Sequence, residues 1–455
     1  MTRPLIVLCC VGLTPGHLGT STPHLSALAA RGFAAPLGGT LPAVTTSAQT
    51  TMLTGVAPGE HGIVANGWYF RELGEVWLWR QSEALVQAPL VWDLLRRDRP
   101  DLKVLKHFWW YAMNSSADAL VTPRPAYHQD GAKSPDIYAH PAALKDELIR
   151  KHGPFPLFHF WGPTASIRST RWIAESFTTA CDSVRPDLAL AYLPHLDYDL
   201  QRFGPQGTHL ERNLRELDAA AGVIIDHATA AGAQILVVSE YGIEAVRSTA
   251  FPNRALREAG LLSVCTNATG ELLDPGTSRA FAVCDHQIAH VYCRDPAAQA
   301  QAQALLSRLP GIDRVYAGDE RAALGLDHAR SGELIVMAAA GAWLAHDYWL
   351  DPALAPDFAR CVEIHKKPGY DPRELVFDAQ GGKRRAGVAL LRKKLGLRYV
   401  MNAIGTDPRV VQGSHGRAAA HPDAGPVIIG SDTRWARAGL TQRDVCSLIR
   451  SACSA

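Results

Sequence analysis

Residues Ile6 to Val11 form an unbroken apolar run, the pattern of a strand buried on both faces. Thr22 and Pro23 then open a helix with Leu25, Leu28 and Ala29 on one face, and Gly32 stops it. Val104 to His107, Leu188 to Leu193 and Ile235 to Val238 read as further strands. Between the last two, Leu210, Leu214, Leu217, Ala221, Ile224, Ile225 and Ala228 recur at helical spacing up to a stop at Gly232. Strands alternating with helices predict an α/β domain with a largely parallel sheet, whose functional groups gather at the carboxyl ends of the strands.

From about residue 278 the rhythm shortens. Strands at Ala289 to Cys293, Ile312 to Tyr316 and Glu333 to Ala338 are separated by helices at Ala297 to Leu309 and Arg321 to Leu326. The pattern predicts a compact inserted subdomain, so that residues 1–277 and 402–455 make one core and 278–401 an insertion with a basic tail. That tail, Gly381 to Met401, carries Lys383, Arg384, Arg385, Arg392, Lys393, Lys394 and Arg398 around an apolar stripe. A solvated helix face is its plainer reading; contact with anionic lipid or a polyanionic substrate is the sharper one.

The 455 residues hold 46 Lys+Arg against 44 Asp+Glu, and a net charge of +2 gives no field for specific nucleic-acid binding. The nine Cys form no CxxC pair and read as buried reduced thiols. The longest apolar run, Leu334 to Ala345, falls short of the ~18 residues of a membrane span. Leu5 to Leu13, with a single basic residue before it and a Pro15-Gly16 turn after it, reads as a core strand instead of a secretory leader. A cytoplasmic protein is expected. The 18 His make metal chemistry worth testing, since imidazole is the commonest metal ligand.

The stretch Leu41 to Gly55 carries a run of hydroxyl residues into a helix that stops at Gly55. Such residues either cap the helix, through Thr45, Thr46 or Ser47, or present a hydroxyl where unpaired N–H groups attract an anion such as phosphate. The order of Thr45, Thr54-Gly55 and Glu60-His61-Gly62-Ile63-Val64-Ala65-Asn66 resembles the alkaline phosphatase superfamily, in particular its nucleotide pyrophosphatase/phosphodiesterase branch and the phosphonoacetate hydrolases. Leu196 to Pro205, Gly413-Ser414-His415-Gly416, Gly12-Leu13 and the Ser239-to-Gly242 turn follow in family order. The resemblance implies an alkaline-phosphatase-like sandwich with an α+β cap, Thr45 as a nucleophile that forms a phospho-enzyme, and Asn66 as holder of a phosphate oxygen.

It further implies two divalent ions, zinc in the family, and here the chain departs from the pattern. Around the nucleophile the ligand positions read Val11, Glu240 and Tyr241, of which only Glu240 is a ready ligand. The second set reads Asp197, Gln201 and His415. One ion at Asp197 and His415, with Gln201 and water, is the reduced site this predicts, and the number of ions, one or two, stays open. His195, Asp199, Asp285-His286, His290, His159 and His365 could supply replacement ligands, although a hydrogen-bonded structural role suits each of them better. The aromatic run His107-Phe108-Trp109-Trp110-Tyr111 could stack a planar group or fill the core; Lys106 and Arg80 could meet phosphate or simply lie on the surface. The expected function is a metal-dependent phosphohydrolase of the phosphodiesterase/nucleotide pyrophosphatase type acting on a small phosphorylated substrate. Its rivals are a catalytically silent relative that binds a phosphorylated ligand or a protein partner, and a hydrolase of phosphonate or sulfate esters.

Overall fold

The computed structural model describes residues 3–129 and 133–454. The twelve strands that build its two principal sheets are β1 (Leu5–Cys10), β2 (Phe33–Pro36), β3 (Val104–His107), β4 (Ala119–Pro123), β5 (Ile137–His140), β6 (Leu188–Leu193), β7 (Gln234–Val238), β8 (Ala280–Asp285), β9 (Ile288–Cys293), β10 (Ile312–Ala317), β11 (Leu334–Ala338) and β12 (Val427–Gly430). Eight of them form a central sheet in the order β2-β12-β7-β1-β6-β3-β4-β5. From β7 to β4 the pairs run parallel. The outer strands β12, β2 and β5 pair antiparallel. The fold is therefore α/β with a largely parallel sheet, as the alternation of apolar runs predicts.

All six residues of β1 are buried, which requires cover on both faces of the sheet. Helices α1 (Pro23–Arg31), α2 (Thr45–Thr54), α3 (Ile167–Val184), α4 (His195–Phe203) and α5 (Leu210–Ala230) contribute to that cover, with α1 and α3 packed on α5. Helix α5 buries Leu214, Leu217, Ala221, Ile224, Ile225 and Ala228, all of the stripe read from its spacing except Leu210, which is half-buried, and each large side chain contributes about 1.5–3 kcal/mol. Helix α6 (Pro296–Leu306) belongs to the later part of the chain, and there α7 (Gly382–Lys394) and α8 (Gln442–Ser454) follow, the last packed on α2.

The second sheet has four strands in the order β8-β9-β11-β10, every pair antiparallel, with its own apolar core. Its first strand, β8, falls inside the expected insertion but ahead of Ala289 to Cys293, the first strand that the sequence pattern names there. The turn joining β8 to β9 holds only His286 and Gln287, and it reaches the carboxyl ends of the central strands. Gln287 N donates to His415 O there at 2.9 Å, and Gly416, at φ +122°, lets the backbone pass where a Cβ would lie 3.0 Å from Gln287 N. Among the described residues no helix is long and apolar enough to cross a membrane. None of the nine cysteines is paired, and seven of them are buried.

Candidate active site

Parallel pairing sets Cys9, Tyr192 and Val238 in register, so β1, β6 and β7 end level with one another. Each end delivers part of the site. After β1 come Val11 and Gly12; after β6, Pro194 turns the chain into α4 with Asp197 in its first turn; after β7 come Ser239, Glu240 and Tyr241. Gly12 has φ +73°, and a Cβ there would lie 3.3 Å from Leu200 of α4, so glycine permits both the turn and the close approach.

Thr45 is the first residue of α2, and the N-cap position falls on Val44, which cannot cap through its side chain. The hydroxyl run thus lies inside the helix and does not cap it. All ten residues of α2 are buried, and the hydroxyls sew it to the following segment: Thr46 Oγ1 donates to Ala65 O at 2.9 Å, Ser47 Oγ to Ile63 O at 2.8 Å, and Thr51 Oγ1 meets His61 Nε2 at 3.0 Å. Asn66 Oδ1 accepts from Thr46 N at 3.0 Å, satisfying one of the N–H groups that the helix start leaves open. Asn66 Nδ2 donates to Asp285 Oδ1 at 3.1 Å, and Asn66 N to Asp285 Oδ2 at 2.9 Å.

The Tyr241 hydroxyl lies 3.1 Å from Thr45 Oγ1 and donates to Asp197 Oδ1 at 3.2 Å. A phenol has one proton, so Thr45 is the donor in the first contact. Gln201 Nε2 donates to Asp197 Oδ2 at 2.7 Å, and Gln201 Oε1 accepts from the Tyr370 hydroxyl at 3.0 Å. Glu240 Oε1 accepts from Gln49 Nε2 at 2.7 Å, with Cys9 Sγ 3.6 Å away, while Glu240 Oε2 has no partner. His415 Nδ1 is fixed by Ala43 O at 2.7 Å, leaving Nε2 unpartnered and 3.8 Å from Asp197 Oδ1. His286 repeats the arrangement, with Nδ1 on Asp285 Oδ1 at 2.7 Å and Nε2 unpartnered. Four rings stack in a column, Tyr241 on His415, His415 on His286 and His286 on Tyr370, each pair 3.6 Å between centroids.

The structure therefore brings Thr45, Asn66, Asp197, Gln201, Glu240 and His415 into one connected cluster. Val11 stands beside it with no donor atom. Of the replacement candidates only Asp285 and His286 join it. His195 pairs with Glu216 at 2.9 Å, Asp199 with Arg202 at 2.9 Å, and His290 bonds Val64 O at 3.1 Å. His159 bonds Thr164 O at 2.8 Å, and the half-buried His365 lies by the Leu78 backbone and Glu363. The aromatic run divides. Phe108 packs on Phe155 and Trp172 in the core, whereas Trp110 lies on Trp79 and its N donates to Gln49 Oε1 at 2.8 Å. Lys106 is not a surface residue: it is buried and donates to Tyr111 O at 2.6 Å, with Glu83 3.4 Å away. Arg80 lies over the Trp77 ring. Sequence reading missed Gln49 and Tyr370. Helical spacing signals the first, one turn after Thr45, and nothing local signals the second.

Burial pushes Asp197 up to about 7, against the pull of hydrogen bonds from Tyr241 and Gln201. It pushes Glu240 up to about 8, with the bond from Gln49 the largest opposing influence. Burial likewise raises Asp285 and holds His415 and His286 well below the usual imidazole range, so both rings are neutral. Among the described residues the basic side chains within reach of Asp197 and Asp285 are these neutral histidines, which supply no charge, and Glu240 has none. Three buried carboxyls without a Lys or Arg call for protons or a cation.

The donor chemistry divides the two expected ion positions. At Asp197 and His415 the residues fit a divalent ion, because the fixed Nδ1 leaves the Nε2 lone pair free beside a carboxylate. At Thr45 they do not: Val11 offers nothing, and burial keeps the Tyr241 phenol protonated and bonded to Asp197. Among the described residues no three His, Cys, Asp or Glu side chains are placed to hold an ion together.

The profile of the type I phosphodiesterase / nucleotide pyrophosphatase family matches residues 5–371. An uncharacterised pyrophosphatase/phosphodiesterase of Schizosaccharomyces pombe is 25% identical over 210 residues, 45% of this chain and 36% of that protein, so the match spans well under two thirds of that relative. Phosphonoacetate hydrolase from Sinorhizobium meliloti 1021, solved with phosphonoacetate, superposes with a TM-score of 0.62 at 14% identity, covering 99% of this chain and 96% of that one. Human ectonucleotide pyrophosphatase / phosphodiesterase 5 gives 0.60 at 13% identity, covering 99% and 95%. At these identities the likeness to solved structures is one of fold.

Proposed function

Because the chain belongs to the type I phosphodiesterase / nucleotide pyrophosphatase family of hydrolases, within the alkaline phosphatase superfamily, we propose that it hydrolyses a phosphate ester or phosphoanhydride of a small substrate, with Thr45 as nucleophile. The observation that carries this reading is the position of Thr45. It is the first residue of a buried helix, its hydroxyl 3.1 Å from that of Tyr241 and close to the Glu240 carboxyl.

In this reading Thr45 Oγ forms a bond to phosphorus as the leaving oxygen departs with its electron pair, and the Thr45 proton passes to the Glu240 carboxylate. Asn66 holds a phosphoryl oxygen with the amide hydrogen that Asp285 does not use, and the α2 N-terminus favours the anionic group. Water then cleaves the phospho-threonine. Asp197 and His415 would hold a divalent ion, zinc in our assignment, joined by the Gln201 amide oxygen once that amide turns over and gives up its bonds to Asp197 and Tyr370. Bound there, the ion would supply positive charge to the leaving oxygen. Residues 278–401 act as a cap over the site, a role supported by the separate core of the second sheet and by the delivery of His286 from its turn. Cysteines that are unpaired and mostly buried suit a reducing compartment, the ground for assigning a cytoplasmic location.

One observation favours a second reading, a family member that binds phosphate groups without turnover: the Tyr241 proton satisfies Asp197 where a cation would be expected. Purified wild type and Thr45→Ala, assayed on phosphodiester, nucleotide pyrophosphate, phosphonate and sulfate ester substrates, separate the cases. We expect phosphoester turnover that falls by on the order of 1000-fold in Thr45→Ala. Equal rates in the two proteins overturn the assignment, and wild-type phosphate binding with no turnover on any substrate establishes the second reading.

A further inference from the structure

The basic tail of the sequence folds as α7, and its surroundings differ from those of every other helix described above. Between Asp378 and Asp407 the chain has no Asp or Glu, while the seven Lys and Arg residues named earlier fall inside that interval. Within α7 only Gly382 and Ala389 are buried. The apolar side chains face water: Val388 is 54% exposed, Leu390 56%, Leu391 58%, Leu395 64%, and beyond the helix Leu397 50% and Val400 58%. A single exposed leucine needs no explanation, but six large apolar residues exposed within thirteen positions make a patch of the kind that marks an interaction surface.

The arrangement on the helix is directional. At roughly 100° per residue, Val388, Leu391 and Leu395 line up at i, i+3 and i+7 on the side away from Ala389, with Arg384 one turn earlier on the same line and Arg392 on its border. Arg385 is held by Asp378 and by the carbonyls of Gln380 and Asn402. No carboxylate pairs with Lys383, Arg384, Lys393, Lys394 or Arg398 among the described residues. A groove of about 460 Å³ opens between α7 and the returning chain, lined by Arg384, Arg392, Tyr399, Val400 and Asn402 among others.

We propose that α7 and the residues up to Val400 dock on an anionic phospholipid membrane, lying in the plane of its interface. Charge complementarity chooses this occupant. A second copy of the same face would set its cations against like charges with no acid to relieve them. A bilayer carrying anionic headgroups takes both halves of the patch at once, the leucines into the acyl boundary and the Lys and Arg ends at the lipid phosphates. The contact is peripheral, since no described helix spans a bilayer, and it is independent of the reaction at Thr45.

Co-sedimentation of the full chain with phosphatidylcholine vesicles, with and without phosphatidylserine, tests the proposal. Binding is expected only with phosphatidylserine and should weaken as salt rises. Lys393→Ala and Lys394→Ala should each lower partitioning about 5-fold, and Leu391→Asn with Leu395→Asn at least about 10-fold. Near-ultraviolet circular dichroism unchanged from wild type shows that these exposed substitutions leave the fold intact. The proposal is overturned by absence of binding at low salt, by equal binding to neutral vesicles, or by full binding of the leucine variant. Binding of poly(A) or polyglutamate as tight as that of the vesicles would also overturn it. So would a dimer in solution that the leucine variant abolishes, because a second copy would then cover the patch.

Discussion

Tyr241 donates its phenolic proton to Asp197 across 3.2 Å, so a hydrogen bond stands beside this buried carboxylate where a cation would otherwise balance it. Gln201 does the same from the other side at 2.7 Å. Two neutral donors satisfy the carboxylate where two imidazoles would leave it free to bind metal. The double variant Gln201→His with Tyr241→His replaces both donors by lone pairs and should bind zinc at least about 10-fold more tightly than wild type, since ligand number and type set affinity. Titration calorimetry, or cobalt absorption as a second probe, measures it. Equal affinity would show that the hydrogen bonds do not compete with the ion.

Asp285 faces the proposed reaction centre through Asn66, receiving both the Asn66 side-chain amide and its backbone N–H, and holds His286 on its other side. It is a positioning residue. Asp285→Asn keeps the volume but sets an amide against an amide, so Asn66 turns away from Thr46. We expect kcat to fall about 10- to 100-fold with a smaller change in KM, because the group that Asn66 holds gains charge in the transition state. An Asn66→Ala background should absorb most of the effect. A full additional loss in that background would place the role of Asp285 elsewhere, in the His286 contact.

The parallel middle of the central sheet was legible because strands such as β1 carry no divided signal, being apolar and buried at every position, whereas the outer strands β2 and β5 alternate buried with more exposed positions and were not read from the sequence. The turn between β8 and β9 was not. The stretch from Ala280 to Cys293 lacks the Gly or Asn that announces a tight turn, since His286 occupies it with φ +61° in the left-handed region. A hydrogen bond from its ring to Asp285 and stacking between His415 and Tyr370 hold it there. Local sequence rules fail at such a position because the residue was chosen for the site. The six site residues read from motifs do gather, because motif order fixes which strand end each follows. Tyr370 was invisible, coming from an irregular segment whose position depends on contacts distant in sequence. Lys106 was misread for the same reason, its partner Glu83 lying outside its own strand.

That irregular segment is held by charges. Lys367 Nζ meets Asp371 at 2.8 Å and Glu374 at 2.7 Å, and Arg373 is bidentate to Asp347 at 2.8 Å, all of them buried. Lys367→Met leaves two carboxylates buried with one cation fewer, a change that costs about 3–5 kcal/mol. Urea denaturation should show a loss in that range. A loss below about 1 kcal/mol would mean that water already reaches these groups.

His61 gives the fold a defined sensitivity to acid. Its Nδ1 accepts from Ile63 N at 3.1 Å, so protonation must break the bond that shapes the segment leading to Asn66. Burial lowers it to about 3, with His328, Arg443 and Arg330 adding repulsion. A histidine depressed in the folded state takes up its proton first in the unfolded state, so its contribution is complete above pH ~6.5 and declines as pH falls toward 3. At pH 5 the loss should be about 2 kcal/mol. His61→Asn retains an acceptor for Ile63 N–H and cannot be charged. Its stability should therefore fall less steeply than that of wild type between pH 6.5 and 4, whatever its starting value. Parallel curves of denaturant midpoint against pH would show that His61 does not set the acid limit.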